Sequence, residues 1–412
     1  MNVLYFTLDD FDSLINYRSI NTDLLREFQG HGHKVYIISP SERKKGFTTR
    51  IINENDAVIL KPRIGNIQKT NIVEKGISTV TVGTILIKTI DEYFGNIKFD
   101  LIIYCTPPIT FLSAIEHVKK RDNARTYLLL KDIFPQNAVD IGLISTTGLK
   151  GLIYKHFRTQ EKNLYSISDR IGCMSPANVK YVLEHNPEIK ERDMESRKCI
   201  NRPIVEVCPN AIEIIDKSVD EETRRRIREQ YDIPLNKVVF IYGGNLGKPQ
   251  GIPFMIECLR KCNELPTAFF LIIGDGTEAH VIEEYVNNEK PQNVRYLSRL
   301  PKEDYDNMVG ACDVGLIFLD HRFTIPNFPS RMLSYMAAKL PVLACTDKNS
   351  DVGKIIADGG FGWWCESNDI NAFYHNIETI TMCSVEKEQQ KSWEYLVANY
   401  SASNAYDIIT GD

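Results

Sequence analysis

The stretch from Phe323 to Ala344 contains the residue types best suited to hold an anion. Because proline disfavours a helix before it, Pro329 ends a loop at the point where Ser330 can cap a helix predicted over residues 331–338. The unpaired N–H groups at a helix start attract negative charge, and Arg331 adds a guanidinium at the same place. This order of residues predicts a phosphate site that includes Ser330 and Arg331.

A glycine-rich segment is the second candidate for contact with phosphate. Gly243, Gly244 and Gly247 follow an apolar run, and Lys248 comes directly after them. Glycine lets the backbone approach a ligand closely. The pattern is not a Walker A loop, because Pro249 stands where Ser or Thr should follow the lysine. A tight strand-to-helix turn without a ligand is the alternative interpretation.

Acidic residues follow several apolar runs and are expected at the carboxyl ends of strands, where ligands bind in open α/β sheets. Asp275 lies in a second glycine-rich exit, and Asp132 precedes a loop broken by proline. Asp132 is a candidate catalytic base at this ligand-binding edge, and capping of the following turn is its alternative role. Asp10 lies between Asp9 and Asp12 in a loop that can equally form a solvated rim.

Short apolar runs alternate with helical segments, which predicts parallel sheets of the doubly wound type in both halves of the chain. A helix is predicted over residues 20–31, and a terminal helical pattern covers residues 387–410. Strands are predicted at residues 2–8, 34–39, 101–105, 126–130, 170–174 and 204–207, and then at 237–242, 268–273, 294–297, 314–318 and 341–344.

Chain length and composition indicate a globular protein of two domains. The 412 residues exceed one ordinary core, and 43% hydrophobic with 25% charged residues is typical of a folded chain. A formal net charge of −5 argues against a nucleic-acid partner. The ten cysteines are scattered, which favours reduced thiols over a disulfide framework or a zinc site. Without an export signal or a membrane-spanning apolar run, a cytoplasmic location is expected.

The run PSRMLSYMAAKLPVLA resembles the donor-site segment of retaining nucleotide-sugar glycosyltransferases of the GT-B architecture, family 4 or glycosyl transferases group 1. That segment usually reads PSK-x-x-E-YMA-x-GKPV, so Arg331 replaces a lysine and Ser334 replaces a glutamate. The first glutamate of the usual Glu-x7-Glu pair is Pro326 here. The resemblance implies two Rossmann-like α/β domains facing across a cleft. It assigns residues 1–213 to an acceptor domain, 214–386 to a donor domain, and 387–412 to a helix that crosses back onto the first domain.

The resemblance also implies which residues bind the donor. Family members carry Gly-Arg-Leu-x3-Lys-Gly at the glycine segment, where this chain has Asn245 and Gln250 in place of the two cations. Lys248 and Arg331 are therefore expected to provide the charge. The loop with Arg299 and Leu300 resembles the family's base-binding loop, which favours uracil without excluding guanine. The full donor set expected from residues and resemblance is Gly244, Asn245, Gly247, Lys248, Asp275, Arg299, Leu300, Ser330, Arg331 and Ser334.

On the acceptor side, the segment with Lys131, Asp132 and Gln136 resembles the R-D-x-x-P-E-S segment of bacterial polysaccharide transferases. Asp10, Tyr17 and Arg18 are the expected acceptor-side residues. Residues 149–158 place apolar and basic groups in a helical pattern, so we expect contact with the inner face of a membrane there. Packing of this helix on its own domain is the alternative.

Taken with the resemblance, these residues predict transfer of a hexose or amino sugar from a UDP-sugar to a saccharide or lipid-linked saccharide in surface-polysaccharide synthesis. Retention of configuration, no metal and no cofactor beyond the nucleotide sugar are expected. Two other functions remain open. One is a non-catalytic sugar-nucleotide-binding or partner protein, which the missing glutamates and cations favour. The other is a UDP-sugar epimerase, against which the scattered histidines argue.

Overall fold

A computed structural model of the chain describes residues 1–67, 70, 72–190 and 203–411. These residues form two compact α/β units, one made of 1–213 with 402–412 and the other of 214–401. Helices and strands alternate along both units, as the periodicity predicts.

The first unit contains an eight-stranded sheet in the order β10-β9-β8-β7-β1-β2-β5-β4. Every neighbouring pair is parallel except β4 with β5, which is antiparallel. The strands of the first unit are β1 (Asn2–Phe6), β2 (Lys34–Ile38), β3 (Ser41–Glu42), β4 (Arg50–Glu54), β5 (Ala57–Lys61), β6 (Arg63–Ile64), β7 (Leu101–Thr106), β8 (Arg125–Leu130), β9 (Arg170–Cys173) and β10 (Ile204–Val207). Its helices are α1 (Ile20–Gly30), α2 (Ile72–Phe94), α3 (Leu112–Asp122), α4 (Gln136–Asp140), α5 (Gly148–Ile167), α6 (Pro176–His185), α7 (Pro187–Lys190) and α16 (Ala402–Thr410).

The second unit contains a six-stranded parallel sheet in the order β13-β12-β11-β14-β15-β16. Its strands are β11 (Val238–Asn245), β12 (Ala268–Asp275), β13 (Val294–Leu297), β14 (Val314–Phe318), β15 (Val342–Thr346) and β16 (Gly362–Glu366). Its helices are α8 (Glu221–Gln230), α9 (Ile252–Lys261), α10 (Ala279–Glu289), α11 (Lys302–Gly310), α12 (Arg331–Ala337), α13 (Val352–Gly359), α14 (Ile370–Met382) and α15 (Glu386–Asn399).

The sheet of the second unit has the strand order of a Rossmann fold. Counted within this unit, the order is 3-2-1-4-5-6, so the direction of winding reverses between β11 and β14. The four central strands, β12, β11, β14 and β15, are almost wholly buried because helices cover both faces, and Phe240, Tyr242 and Phe270 form part of the core. The carboxyl ends of β11 and β14 are the place where such a sheet binds its ligand.

The terminal segment differs from the prediction. Residues 387–412 were expected to pack as a whole on the first domain, but α15 belongs to the second unit and only residues 402–412 belong to the first. On α16, the Tyr406 hydroxyl lies 2.9 Å from His33 Nε2, and the Tyr406 ring packs edge-on against Phe28. The helical pattern is interrupted at Tyr400 and Ser401, where α15 ends and α16 begins.

Five pairing strands in the described residues are absent from the sequence prediction. β3 and β6 pair with each other in a separate two-stranded sheet. β4 and β5 form a hairpin at one edge of the first sheet, and β16 pairs with β15 at the edge of the second. Polar residues interrupt β4, and β16 has glycine and glutamate at its ends with only one fully buried residue, so neither shows a long buried apolar run. β5 does have such a run and was overlooked.

Candidate functional site

The ends of β11 and β12 form the centre of the candidate donor site. β11 continues to Asn245, so Gly243 and Gly244 lie in the strand and not in a loop after it. Gly244 pairs with Gly274, and Asn245 pairs with Asp275. A Cβ on Gly274 would stand 1.9 Å from the carbonyl oxygen of Gly244, so only glycine allows these two strand ends to approach.

Arg331, the first residue of α12, reaches this edge. Its Cζ atom lies 4.3 Å from the centre of the Tyr242 ring. The same atom is 3.5 Å from the position that a Cβ of Gly244 would occupy. Arg331 Nη1 is buried and has no hydrogen-bond partner within the described parts of the chain. A buried guanidinium nitrogen without an acceptor is suited to an anionic oxygen from a ligand.

Two tyrosines brace the strand end under this guanidinium. The Tyr242 hydroxyl donates to the Asn245 carbonyl oxygen at 2.7 Å. The Tyr335 hydroxyl accepts from Gly243 N at 3.0 Å and donates to the Leu316 carbonyl oxygen at 3.1 Å, which connects α12 to β11 and β14. Neither tyrosine is among the site residues predicted from the sequence. Both tyrosines lie in apolar runs, which predicts core residues, and both are indeed fully buried.

A side-chain amide closes the glycine segment. Gln250 Oε1 accepts from Asn245 Nδ2 at 2.9 Å and from Gly247 N at 3.2 Å. Asn245 and Gln250, the residues at the two positions where the family resemblance places cations, thus bind each other. Lys248 is exposed, with no ion pair to any described acid. Asp275 Oδ1 accepts from Gly276 N at 2.7 Å and remains exposed beside Asn245.

The prediction that Ser330 caps α12 with its side chain is wrong. Ser330 occupies the N-cap position, but its φ of −63° and ψ of −19° are helical, and its side chain makes no cap hydrogen bond. A capping side chain needs an extended backbone to reach the next N–H groups. The helix is seven residues long and ends at Ala337, one residue before the predicted end.

The remaining predicted donor residues lie at the same edge of the sheet. Ser334 is half-buried on α12, one turn after Arg331. Arg299 is exposed and Leu300 half-buried in the loop between β13 and α11. β13 is the edge strand beside β12, so this loop opens on the Asp275 side of the glycine segment.

A polar network after β15 was not foreseen. Asp347 is 2% exposed and accepts from Ser350 N, Ser350 Oγ and Asn349 N, each at 2.9 Å. Burial raises the pKa of the Asp347 carboxyl, while these hydrogen bonds act in the opposite direction. Asn327 N donates to Ser350 Oγ at 2.9 Å, so the network also fixes the proline-rich segment before Arg331. The D-x-x-S spacing of Asp347 and Ser350, typical of a turn, was its only sequence signal.

Asp132 lies directly after β8 in the first unit. Its Oδ2 accepts from Asn137 Nδ2 at 2.6 Å, and its carbonyl oxygen accepts from Thr106 Oγ1 at 3.2 Å. Burial raises the pKa of the Asp132 carboxyl to about 6, and the charge of Glu161 adds to the rise, whereas hydrogen bonds from Ile133 and Asn137 oppose it. A carboxyl group with such a pKa can take or hold a proton near neutral pH.

The three predicted acceptor-side residues each have a separate structural partner. Asp10 forms ion pairs with Lys45 and with the fully buried Lys61. These lysines lower the pKa of the Asp10 carboxyl although burial alone would raise it. Arg18 pairs with Glu213, and the Tyr17 ring stacks on Phe11 with centroids 5.2 Å apart. Asp10 is thus held by ion pairs, whereas the Asp12 side chain is 60% exposed, so the loop keeps part of the solvated acidic rim that is its alternative role.

Helix α5 contains the predicted membrane segment, residues 149–158. Leu152 and Ile153 are 64% and 50% exposed, and Lys150 and Lys155 are exposed beside them. Arg158 departs from this pattern. Its guanidinium turns inward to Glu161 at 2.5 Å and to Asn186 Oδ1 at 2.7 Å. Across the described residues, no helix is both long and apolar enough to span a bilayer.

Within the described ranges, no group of three His, Cys, Asp or Glu side chains is arranged to hold a metal ion. The second unit does contain an Asp-x-Asp run in α11, from Asp304 to Asp306. Its Asp306 carboxylate is held by Lys217 at 2.8 Å and by Lys302.

Comparison with known proteins identifies the second unit. A family model described as glycosyl transferases group 1 matches residues 223–395. The second unit belongs to this family. The chain is accordingly a glycosyltransferase. It is 26% identical over 309 residues to the probable glycosyltransferase WbjE of Pseudomonas aeruginosa, an alignment that covers 73% of this chain and 71% of the relative. It is 21% identical over 261 residues to the putative colanic acid biosynthesis glycosyl transferase WcaI of Escherichia coli K12, over 63% of this chain and 60% of that protein.

Solved structures confirm the GT-B fold of this glycosyltransferase. The E. coli trehalose-6-phosphate structure bound with UDP-2-fluoro glucose matches with a TM-score of 0.75 at 12% identity, covering 100% of this chain and 98% of the other. Anabaena HepE in complex with UDP matches with a TM-score of 0.68 at 12% identity, covering 100% and 99%. The prediction of two Rossmann-like α/β domains is therefore confirmed.

The first prediction from the site concerns Arg331 and Lys248. Because Arg331 Nη1 lacks an acceptor beside the glycine pair, Arg331→Ala should weaken binding of UDP by about 1.5–3 kcal/mol, measured by titration calorimetry. Lys248→Ala should weaken it too, by a smaller amount because this lysine is exposed. The control is Arg260→Ala, which removes an exposed cation that pairs with Glu289 on another part of the unit. A dissociation constant unchanged by Arg331→Ala would remove this residue from the donor site.

The second prediction concerns Asp132. If its carboxylate acts on the sugar or acceptor, Asp132→Asn should lower turnover by about 10²- to 10⁴-fold with little change in donor affinity, and wild-type turnover should fall below pH 6. Since folding raises this pKa from 3.8, the protonated form is favoured in the folded state. The resulting stability is full below pH 3.8 and is lost as pH rises through about 6.

Asp132→Asn should therefore raise the Tm at pH 7 and have less effect near pH 4. Asp140→Asn, which alters a neighbouring carboxylate that accepts from Gln136, is the matched control. Full activity of Asp132→Asn would leave this residue with the purely structural role that its bond to Asn137 provides.

Proposed function

We propose that this glycosyltransferase binds a nucleoside diphosphate sugar, preferably a UDP-sugar, at the carboxyl edge of the second sheet and transfers its sugar with retention of configuration. The unpaired, buried Nη1 of Arg331 beside Gly244 is the observation that supports the proposal most directly. The position also coincides with the winding reversal between β11 and β14, where Rossmann-like sheets bind nucleotides.

In the proposed reaction, the bond between the anomeric carbon and the diphosphate breaks, and an acceptor hydroxyl oxygen bonds to that carbon from the same face. The hydroxyl proton passes to the base or to the departing diphosphate. Negative charge grows on the leaving oxygen as its bond breaks. A fixed guanidinium at this point stabilises that charge more in the transition state than in the bound donor. Arg331 is held by the Tyr242 ring, so little reorganisation is needed when the charge develops. We propose that Arg331 stabilises the leaving diphosphate without a metal ion. The exposed Lys248 adds a second positive charge from the solvent side.

The proposed acceptor is a saccharide or lipid-linked saccharide on the path to a surface polysaccharide, and the proposed location is the cytoplasm. Support comes from the relative named for colanic acid biosynthesis and from the HepE structures with UDP and with UDP-glucose. Asp132, partly exposed after β8 with a raised pKa, is the proposed base or partner of the sugar.

The third prediction tests donor class and metal use together. Incubation with UDP- and GDP-sugars should release free sugar and nucleoside diphosphate slowly, and faster for the UDP donors, because water can replace a missing acceptor. EDTA should leave the rate unchanged, since the charge is met by side chains. Rates are measured by anion-exchange chromatography of the nucleotides, with Arg331→Ala as the inactive comparison.

Other outcomes select other functions. An epimerised donor with no release of diphosphate would identify an epimerase, and tight binding without turnover on any donor would identify a binding protein. Loss of activity in EDTA that Mn²⁺ restores would contradict the metal-free mechanism.

We further propose that α5 lies against an anionic membrane surface. Leu152 and Ile153 expose apolar side chains, and Lys150 and Lys155 stand next to them, a combination that binds the boundary between headgroups and acyl chains. Arg158 has no part in this contact because it is paired with Glu161.

The fourth prediction follows from this surface. The glycosyltransferase should sediment with vesicles that contain anionic phospholipid, and Leu152→Asp with Ile153→Asp should abolish the association. The control is Met382→Asp, since Met382 is 81% exposed on the second unit but has no part in α5. Binding to neutral vesicles with equal strength, or equal loss in the control, would contradict an electrostatic and apolar contact through α5.

A further inference from the structure

Tyr242 combines two contacts that belong to different parts of the donor site. Its ring lies under the Arg331 guanidinium at 4.3 Å, and its hydroxyl donates to the Asn245 carbonyl oxygen at 2.7 Å. The residue is fully buried in β11, directly before the two glycines of the strand end. One rigid side chain thereby connects the proposed cation to the backbone of the glycine segment.

We propose that Tyr242 is a positioning residue, which sets the place of Arg331 relative to the glycine backbone and so prepares the donor diphosphate site. This inference rests on the proposed function. It assigns to Tyr242 no contact with the substrate, because the side chain is fully buried and is occupied by Arg331 and the Asn245 carbonyl oxygen.

The geometry explains why a side chain is needed here. Arg331 begins a helix of only seven residues, and its Nη1 has no partner among the described residues that would fix the guanidinium plane. A cation over the face of a buried aromatic ring is attracted by the negative potential of that face. The ring therefore replaces the acidic partner that normally orients a buried arginine, and it leaves the charge available to a ligand.

The hydroxyl has a separate effect on the strand end. Gly244 has a φ of 126°, a value that glycine tolerates and that other residues rarely adopt. The hydrogen bond from Tyr242 to the next carbonyl, that of Asn245, holds the chain just after this turn in the backbone. Burial raises the pKa of the Tyr242 phenol, while Arg331 opposes the rise, so the hydroxyl stays protonated and able to donate.

Tyr335 offers a contrast on the same edge. Its hydroxyl also binds the backbone, at Gly243 N and the Leu316 carbonyl, but its ring packs on Gly315, where an added Cβ would lie 2.2 Å from it. Tyr335 therefore ties α12 to the sheet, whereas Tyr242 supports the guanidinium itself.

The experiment is a double-mutant cycle with UDP as the probe. Tyr242→Leu removes ring and hydroxyl, and it should raise the Kd of UDP by about 2- to 30-fold, the range of a cation over a ring. In the Arg331→Ala background the same change should alter the Kd by less than about 2-fold, because its effect passes through Arg331. Tyr242→Phe keeps the ring and should give a smaller increase than Tyr242→Leu.

Phe240→Leu is the matched control. Phe240 lies two residues earlier on β11, points to the same side of the strand and is fully buried, with its ring against Phe270 at 5.3 Å. It should destabilise the fold to a similar degree and leave the Kd of UDP unchanged. An equal rise in Kd for Phe240→Leu, or an equal effect of Tyr242→Leu with and without Arg331, would overturn the proposal.

Unfolding measured without ligand tests the inference separately from the proposed function. If the wild type fails to bind UDP, the proposed donor site is wrong. The effects of Tyr242→Leu and Arg331→Ala on the free energy of unfolding should still be non-additive. Additive effects in the unfolding cycle would show that the ring does not hold the guanidinium, whatever the ligand.

Discussion

The close approach of two strand ends shapes the candidate donor site of this glycosyltransferase. Gly244 and Gly274 are paired across β11 and β12 so closely that a single methyl group on Gly274 would collide with a carbonyl oxygen. Bulkier residues would push the strands apart and move the edge on which Arg331 rests. Because no side chain covers Gly244, the guanidinium can lie directly against the backbone.

Charge is distributed differently in the two units. In the loop after β1, Asp10 and Asp12 are bound to Lys61, a lysine with no exposed surface, and Arg18 is bound to Glu213. Their charges are largely used to hold the loop in shape, because a buried lysine requires partners. Arg331, by contrast, is surrounded by tyrosines and glycines, so its charge is uncompensated by any nearby carboxylate that the described residues supply. The difference in pairing, and not the number of cations, distinguishes the proposed phosphate site.

Amides stand where the family resemblance places cations in the glycine segment. Asn245 and Gln250 bind each other and Gly247, and this arrangement fixes the turn between β11 and α9 without adding charge. In the proposed reaction, stabilisation of the leaving diphosphate would therefore depend more heavily on Arg331 than it would with a cation at either position. The residues that hold Arg331 in place then matter more, and Tyr242 is the residue whose ring contacts the face of the guanidinium.

The sequence by itself determined the α/β class, most strands and the segments that meet at the donor edge. Apolar runs alternate with segments of helical periodicity in both halves, which predicts strands and helices in turn. Glycine at a strand end indicates a place where the backbone is approached closely. The sequence also predicted that Arg331 lies at the start of a helix, because the prolines directly before it form a local pattern. Edge strands such as β4 and β16 were missed because their burial is incomplete and their residues are mixed.

Only the tertiary structure decided what each polar side chain is paired with. Ser330 does not cap α12 with its side chain because its backbone is helical. Arg158, expected on the exposed face, forms an ion pair with Glu161, and Asp10 forms one with Lys61. Tyr242 and Tyr335 read as core residues in the sequence, yet they also hold the site. Hydrogen bonds and ion pairs join residues distant along the chain, so their partners depend on strand order and burial, which a local pattern does not contain.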